Sequence, residues 1–300
     1  MEPVKPIKIT KELKVKELVN SMGSLGFNAN KIYKAAEILK ECKKDKCKLF
    51  FGFAGAMVPA GMKQIVVDMI NDGTIDVLVS TGANLTHDLI EALGNHHYMG
   101  NANINDSELH KQNIDRIYDV FMKSDVYQDL EEFFNKNFDK FKDKKTVKEF
   151  LWEIGKLVNK EDSILTACYK KKIPLFVPAI TDSGIGLMIW NHLVQGKKVE
   201  MNEFEDLKEI LDIAFVEKKK AIFYVGGGVP KNYIQQAMQF SSPASYGIQI
   251  TTDRADFGGS SGAELKEGIS WGKMSEKGKF VNVNCDATIA LPLIYASYKN

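Results

Sequence analysis

Six short apolar runs punctuate the chain: LFFGFAG (49–55), IDVLVSTGAN (75–84), IPLFVPAITDSG (173–184), AIFYVGGGVP (221–230), SYGIQITTD (245–253) and FVNVNCDA (280–287). They end in Gly, Pro or polar clusters. Their apolar positions are largely continuous rather than alternating, as in strands buried on both faces. The stretches between them carry helical periodicity. Ile32, Ala35, Ala36 and Leu39 share one face, and Asp129 to Phe141 and Thr146 to Val158 are amphipathic. Thr146 and Glu149 have capping-box spacing ahead of Phe150 and Leu151. Strands alternating with helices predict an α/β fold, a parallel sheet with helices on both faces. One large domain over 1–300 is the simplest organisation, with the polar segment 100–146 as a helical excursion from the sheet.

The 300 residues are 44% hydrophobic, enough for a substantial core. Forty basic and 39 acidic residues leave a net charge of +1, so no global field favours nucleic acid or an anionic membrane. The lysine runs at 43, 44, 46 and 48 and at 170–172 read as solvated surface. The N-terminal MEPVKPIKIT has no apolar signal region, and no stretch of about 18 apolar residues occurs. A cytoplasmic protein, without membrane or nucleic-acid partners, is expected. The cysteines at 42, 47, 168 and 285 form neither a disulfide framework nor a zinc-type spacing, so no metal is expected. Cys168 and Cys285 read as buried core thiols.

In an open parallel sheet, ligands bind beyond the carboxyl ends of the strands. Those ends carry Thr81 to Asn84 with His87 and Asp88 beyond, Thr181 to Gly184, Gly226 to Gly228, Thr251 to Asp253, and Asp286. Glycines after a strand let the backbone approach a pyrophosphate closely. GGGVP serves equally as a tight strand-to-helix turn, and the second glycine-rich loop, GFAGAMVPAG (52–61), raises the odds of a nucleotide. Asp182 is a ligand contact or a helix cap. His87 is a base, a ligand group, or a surface or capping residue. The segment GGSSGAELKEGISWGKM (258–274) places Trp271 and Lys273 shortly after Glu267. A lysine desolvated beside a large aromatic supplies a free amine nucleophile; an exposed loop lysine is the plain alternative.

The run SSGAELKEGISWGK followed by VNVNCDATIALPL resembles the C-terminal signature of deoxyhypusine synthases. GGGVPKN, PAITDSGIG, MGSLGFNANKIYKAAEI and DVLVSTGANLTHDLIEAL extend the resemblance, in the same order, from about residue 15 to the C-terminus. It implies a Rossmann-like sheet, a homotetramer with active sites shared between paired subunits, and NAD as cofactor. It also implies oxidation of spermidine beside its secondary amine and capture of the aminobutylidene group by a lysine, with release of 1,3-diaminopropane. An acceptor amine then receives the group. That acceptor is a lysine of translation factor 5A in deoxyhypusine synthases and putrescine in homospermidine synthases.

By this resemblance Lys273 is the covalent nucleophile, and Glu267 and Trp271 line the amine site. Thr81, Asp182, Gly226, Gly227, Thr252, Ser261, Asp286 and Ala287 match NAD-contacting positions. The chain departs from the family at several places. Lys231, Asn232 and Tyr233 stand at the KHH element, and Ser260 at the Asp of GSDSGA. Leu187 replaces another Asp, and His87 replaces a Glu. Gly55 and Ala56 occupy a Ser-Asn pair. Asn232, Ser260 and His87 therefore join Glu267 and Trp271 as candidate substrate-binding residues. With two carboxylates missing, spermidine ammonium groups lose partners whose absence costs several kcal/mol when buried. The expectation is an NAD-dependent aminoalkyl transferase of the divergent, bacterial-type branch, acting on a polyamine or related amine through a lysine imine. The alternatives are a true deoxyhypusine synthase acting on factor 5A and a non-catalytic NAD-binding scaffold.

Overall fold

The computed structural model describes residues 1–299. In chain order its elements begin α1 (Val15–Met22), α2 (Phe27–Lys44), β1 (Lys48–Phe53), α3 (Lys63–Asn71), β2 (Val77–Ser80), α4 (Gly82–Ala92) and β3 (Tyr98–Met99). There follow α5 (Asp106–Lys111), β4 (Ile114–Ile117), β5 (Val120–Lys123), α6 (Val126–Phe141), α7 (Val147–Val158), α8 (Ile164–Lys171), β6 (Leu175–Phe176) and α9 (Gly184–Val194). The chain ends with α10 (Glu203–Val216), β7 (Lys220–Val225), α11 (Gly228–Gln239), β8 (Ala244–Thr251), β9 (Met274–Asn284) and α12 (Ala287–Lys299). Two compact units emerge. Residues 1–54, 74–79 and those from Lys208 onward make the first, and 55–73 with 80–207 make the second.

In the first unit, strands of a parallel sheet run in the order β2-β1-β7-β8-β9. The registers are continuous from Lys48↔Lys220 to Phe53↔Val225 and from Ala221↔Tyr246 to Val225↔Ile250. Strand β7 is buried at every position, and β1 at every position after Lys48. That burial explains their unbroken apolar sequences, because both faces are covered. On one face Gly52, Tyr224 and Gln249 share a register row under α11. A Cβ on Gly52 would sit 2.8 Å from the Tyr224 ring and 3.4 Å from Ile234 of α11. On the other face Phe51 meets Phe223 edge-on at 5.2 Å, and Tyr246 and Lys279 reach Asp45 and Glu41 at the end of α2. The expected α/β architecture, a parallel sheet flanked by helices, is present. Each fully buried phenylalanine here (Phe50, Phe51, Phe53, Phe223) contributes roughly 1.5–3 kcal/mol.

The second unit is mainly helical. Phe134, Phe141 and Phe150 form an aromatic cluster between α6 and α7. The Thr146 hydroxyl caps α7 by accepting from the Glu149 N–H at 3.1 Å, while the Glu149 carboxylate takes the Lys145 N–H. Segment 100–146 holds α5, the antiparallel hairpin β4–β5 and the whole of α6; β3 pairs with the other side of β5. Cys168 is buried, whereas Cys285 of the first unit, expected in the core, is half-buried in the link between β9 and α12. Among the described residues, no helix is long and apolar enough to cross a membrane.

Candidate active site

The first unit gathers one set of expected residues at the carboxyl edge of its sheet. The register Val225↔Ile250↔Val283 brings the ends of β7, β8 and β9 side by side. Gly226, Gly227, Thr252, Asp286 and Ala287 lie in the segments that leave those ends. Gly226 adopts φ +73, and its N–H donates to the Ile250 carbonyl. Gly227 has an extended φ of −158 that any residue tolerates, but a Cβ there would overlap Ser261 Cα and lie 2.8 Å from its Cβ. The Gly228 N–H donates to Ser261 Oγ at 3.2 Å. The glycine turn is therefore docked on Ser261, and α11 begins from it without a side-chain cap. An uncapped helix start after a glycine turn suits a phosphate group. Asp286 caps α12 by accepting from the Thr288 N–H and hydroxyl at 2.7 and 2.6 Å, and the residue remains exposed.

Beneath this edge lies a buried cation that the sequence showed only as a family departure. Lys231, in the first turn of α11, is 1% exposed. Its ammonium donates to Gln249 Oε1 at 3.0 Å and to the carbonyls of Ser260 and Ala263, each at 2.6 Å. Three N–H donors meet three acceptors. Gln249 completes the clamp by donating to the Ser261 carbonyl at 2.6 Å. Loop 258–264 is thus fixed by Lys231 from below, with the exposed side chain of Ser260 on top. Burial pushes Lys231 down to about 8; Glu267 and Asp253 pull the other way, and Lys273 adds repulsion.

Glu267, Trp271 and Lys273 follow on the 3-10 turn Leu265–Ile269 and its exit. Leu265 anchors the turn through its N–H to Asn282 Oδ1 at 3.2 Å. Glu267 is exposed and Trp271 is 56% exposed. The half-buried Lys273 holds its Nζ 4.9 Å from the Trp271 ring centroid. The main chain of Lys273 sits at the opposite edge of the sheet from the glycine turn, since its carbonyl accepts from Ala244 at the start of β8. Along the eight residues of β8 that is a separation of about 23 Å. Asn232 is exposed on α11 beside Lys231.

In the second unit, Thr81 caps α4 by accepting from the Asn84 N–H at 3.3 Å. Ser183, not Asp182, caps α9, accepting from the Gly186 N–H at 3.1 Å. Asp182 is left exposed. A Cβ on Gly82 would lie 2.5 Å from Ser183 Cβ, so Thr81 and Asp182 are each next in sequence to one close contact. His87 lies in the middle of α4 and does not cap it. Its Nδ1 is 2.9 Å from Nε2 of His97, whose Nδ1 is 2.7 Å from Glu91 Oε1. Burial pushes His87 down to about 4, with His97 adding to the shift and Glu91 opposing it. Asp88 is wholly buried and accepts from the Ser163 hydroxyl and the N–H groups of Ile164 and Leu165 at the start of α8. Neither the His87–His97–Glu91 chain nor the Asp88 cap was legible in the sequence. The i,i+4 spacing of His87 and Glu91 was the one available hint.

The deoxyhypusine synthase family profile matches residues 17–298. A protein of Methanosarcina acetivorans called probable deoxyhypusine synthase 1 is 43% identical over 300 residues, covering 99% of this chain and 94% of its own. One of the same name from Archaeoglobus fulgidus is 41% identical over 288 residues, covering 96% and 95%. A crystal structure of a candidate deoxyhypusine synthase from Entamoeba histolytica superposes with a TM-score of 0.66 at 19% identity, covering 98% and 96% of the two chains, and shares the fold. With a strand-end glycine turn, the SWGK lysine and this full-length likeness together, the chain belongs to the deoxyhypusine synthase family, enzymes that transfer an aminobutyl group.

Proposed function

We propose that the protein is a deoxyhypusine synthase, moving the aminobutyl group of spermidine to a lysine of translation factor 5A through an imine on Lys273. The observation that carries this reading is the full-length likeness to archaeal proteins named as deoxyhypusine synthases, in a chain that keeps Glu267 on one short turn with Trp271 and Lys273 just beyond it. Those names favour a protein acceptor over the free amine that the missing carboxylates suggested.

Bound NAD would accept the hydride taken from spermidine and return it at the end. The chain's own groups do the rest. The glycine turn, Thr252, Ser261, Asp286 and Ala287 at the carboxyl edge would hold the cofactor, with the uncapped start of α11 fitting its phosphates. The Glu267 carboxylate pairs with an ammonium end of the polyamine. The exposed Trp271 ring covers its alkyl chain and screens water from Lys273 Nζ. The Lys273 amine attacks the oxidised carbon, the carbon–nitrogen bond to 1,3-diaminopropane breaks, and the acceptor lysine later displaces Lys273 by the same exchange. A homotetramer whose paired subunits share active sites, which the family resemblance implies, is part of this reading.

The test is incubation with NAD, labelled spermidine and purified factor 5A. Label on factor 5A, absent with Lys273→Ala, is expected. Label that goes to putrescine and never to factor 5A would return the protein to the free-amine branch.

A further inference from the structure

We propose that Phe27 is a stacking platform for the adenine of bound NAD, a role that rests on the cofactor reading above and adds a residue to it. Phe27 opens α2 with φ +57, a left-handed conformation that crowding between Cβ and the following carbonyl oxygen disfavours for a bulky side chain. The residue is 97% exposed, so no packing within the chain offsets that strain. The turn is nevertheless held from both sides. The Asn28 side chain donates to the Asn284 carbonyl at 2.8 Å, and the Asn30 side chain donates to the Gly23 carbonyl at 2.6 Å. A strained backbone, firmly tied, that presents an aromatic ring to open space points to a contact with something other than the chain itself.

Asn284 is the last residue of β9, so its bond to Asn28 sets Phe27 at the carboxyl edge of the first unit's sheet. The other end of α2 agrees: Glu41 and Asp45 meet Lys279 and Tyr246 towards the amino ends of β9 and β8. In this sheet the chain steps from β1 to β2 on one side and from β7 through β8 to β9 on the other. The reversal lies between β1 and β7, where a dinucleotide crosses an open sheet, and the glycine turn Gly226–Gly228 stands at it. In such sheets the acid at the end of the strand after the glycine turn takes a ribose hydroxyl of the adenosine half. Here that strand is β8 and the acid is Asp253, whose Oδ1 accepts from the Arg254 N–H at 2.9 Å and whose Oδ2 is left for a ribose. The adenosine half therefore runs from β7 over β8 towards β9. The aligned ends of β7 and β9 are two strand spacings apart, about 10 Å. An adenosine laid across them brings its base to the end of β9, where Asn284 holds the start of α2. Adenine is flat and uncharged, and a phenyl ring offers it a matching face without any polar partner. Phe27 meets no reacting atom; its part is to hold the cofactor.

The test is titration calorimetry of the full chain with NAD, ADP-ribose and nicotinamide mononucleotide. F27A should weaken NAD and ADP-ribose about tenfold, or about 1.4 kcal/mol, the scale of one base–aromatic stack. Its binding of nicotinamide mononucleotide should not change. F27W, which keeps an aromatic face, should retain wild-type affinity for NAD and ADP-ribose. F27G removes ring and strain together, so its melting temperature should not fall while its NAD affinity does; a merely structural residue would lower both. Sedimentation velocity on each variant reads the oligomeric state. Wild-type affinity of F27A for ADP-ribose, a loss confined to nicotinamide mononucleotide, or a loss seen only where the assembly dissociates overturns the adenine contact and leaves the cofactor reading intact. Absence of NAD binding by the wild type overturns the cofactor reading and the contact together.

Discussion

Replacing Lys231 by methionine keeps the length and apolar stem of the side chain and removes three donors. The gross loss is three hydrogen bonds to a charged group, each contributing about 1.5–3 kcal/mol. Two terms reduce it. The carbonyls of Ser260 and Ala263 belong to a surface loop and can recover water, whereas Gln249 Oε1 stays buried. The ammonium also no longer has to be desolvated. A net destabilisation of about 2–4 kcal/mol follows, close to the cost of breaking a buried ionic group's contacts from one side. The pH dependence has a definite sign. The folded-state value of Lys231 is lowered from 10.5 to about 8, so between those limits the unfolded chain binds more protons. Wild-type stability therefore rises from pH 8 to 10.5 through this group, and the methionine variant lacks that rise. Urea denaturation at pH 7, 8.5 and 10 measures both effects, and NAD titration measures the cofactor site. Since Lys231 fixes the loop that carries Ser261 under the glycine turn, NAD affinity should fall by tenfold or more, about 1.4 kcal/mol. A stability loss under about 0.5 kcal/mol with unchanged NAD affinity would refute the reasoning.

Gly227→Ala should lose about 1–3 kcal/mol and weaken NAD binding, because the added methyl meets Ser261 main chain; wild-type thermal stability and affinity would show that the turn yields freely. Asp88→Ala leaves two buried N–H groups and a hydroxyl without their acceptor and should cost about 2–4 kcal/mol. Burial raises Asp88 from 3.8 to about 6, so wild-type stability should fall as pH rises across that window; parallel melting curves for wild type and variant at pH 4, 5 and 6 would contradict this. Mixing refolded Lys273→Ala with Gly227→Ala subunits should restore about a quarter of wild-type transfer if each site draws on two subunits, whereas no recovery after verified exchange would confine the site to one chain.

The sheet core was legible because strands covered on both faces must be apolar throughout, and Leu49 to Phe53 and Ala221 to Val225 meet that demand. The early part of β9 was not. Its first residues, Met274 to Lys279, lie ahead of the apolar run that begins at Phe280, and their pairing with β8 passes through a register irregularity that sequence periodicity cannot show. The antiparallel strands β3 to β5 hid in a charged segment for a related reason: most of their residues are exposed or half-buried, so no alternation marks them. Capping logic placed Thr146 correctly; for Asp182 it left a cap or a ligand contact open, and the cap is its neighbour Ser183. At the site, strand-end residues could be located because parallel topology dictates where they gather. Lys231 could not, since a lysine is tolerable in a core only through acceptors supplied by Gln249, Ser260 and Ala263, 18 to 32 residues away. His97 likewise gains meaning only once the chain folds back on α4.

Lys273 is pinned through both peptide groups that flank its Cα: its N–H donates to the Gly268 carbonyl at 2.8 Å, and its own carbonyl accepts from the Ala244 N–H. The carrier arm therefore has a stationary shoulder, and only its four side-chain torsions are free to swing. Such torsions relax in picoseconds to nanoseconds, far faster than any plausible turnover. For the proposed transfer, the tempo is then set by arrival and departure of the cargo's giver and receiver, and a bulky protein receiver should respond to solvent viscosity where a small diamine would not.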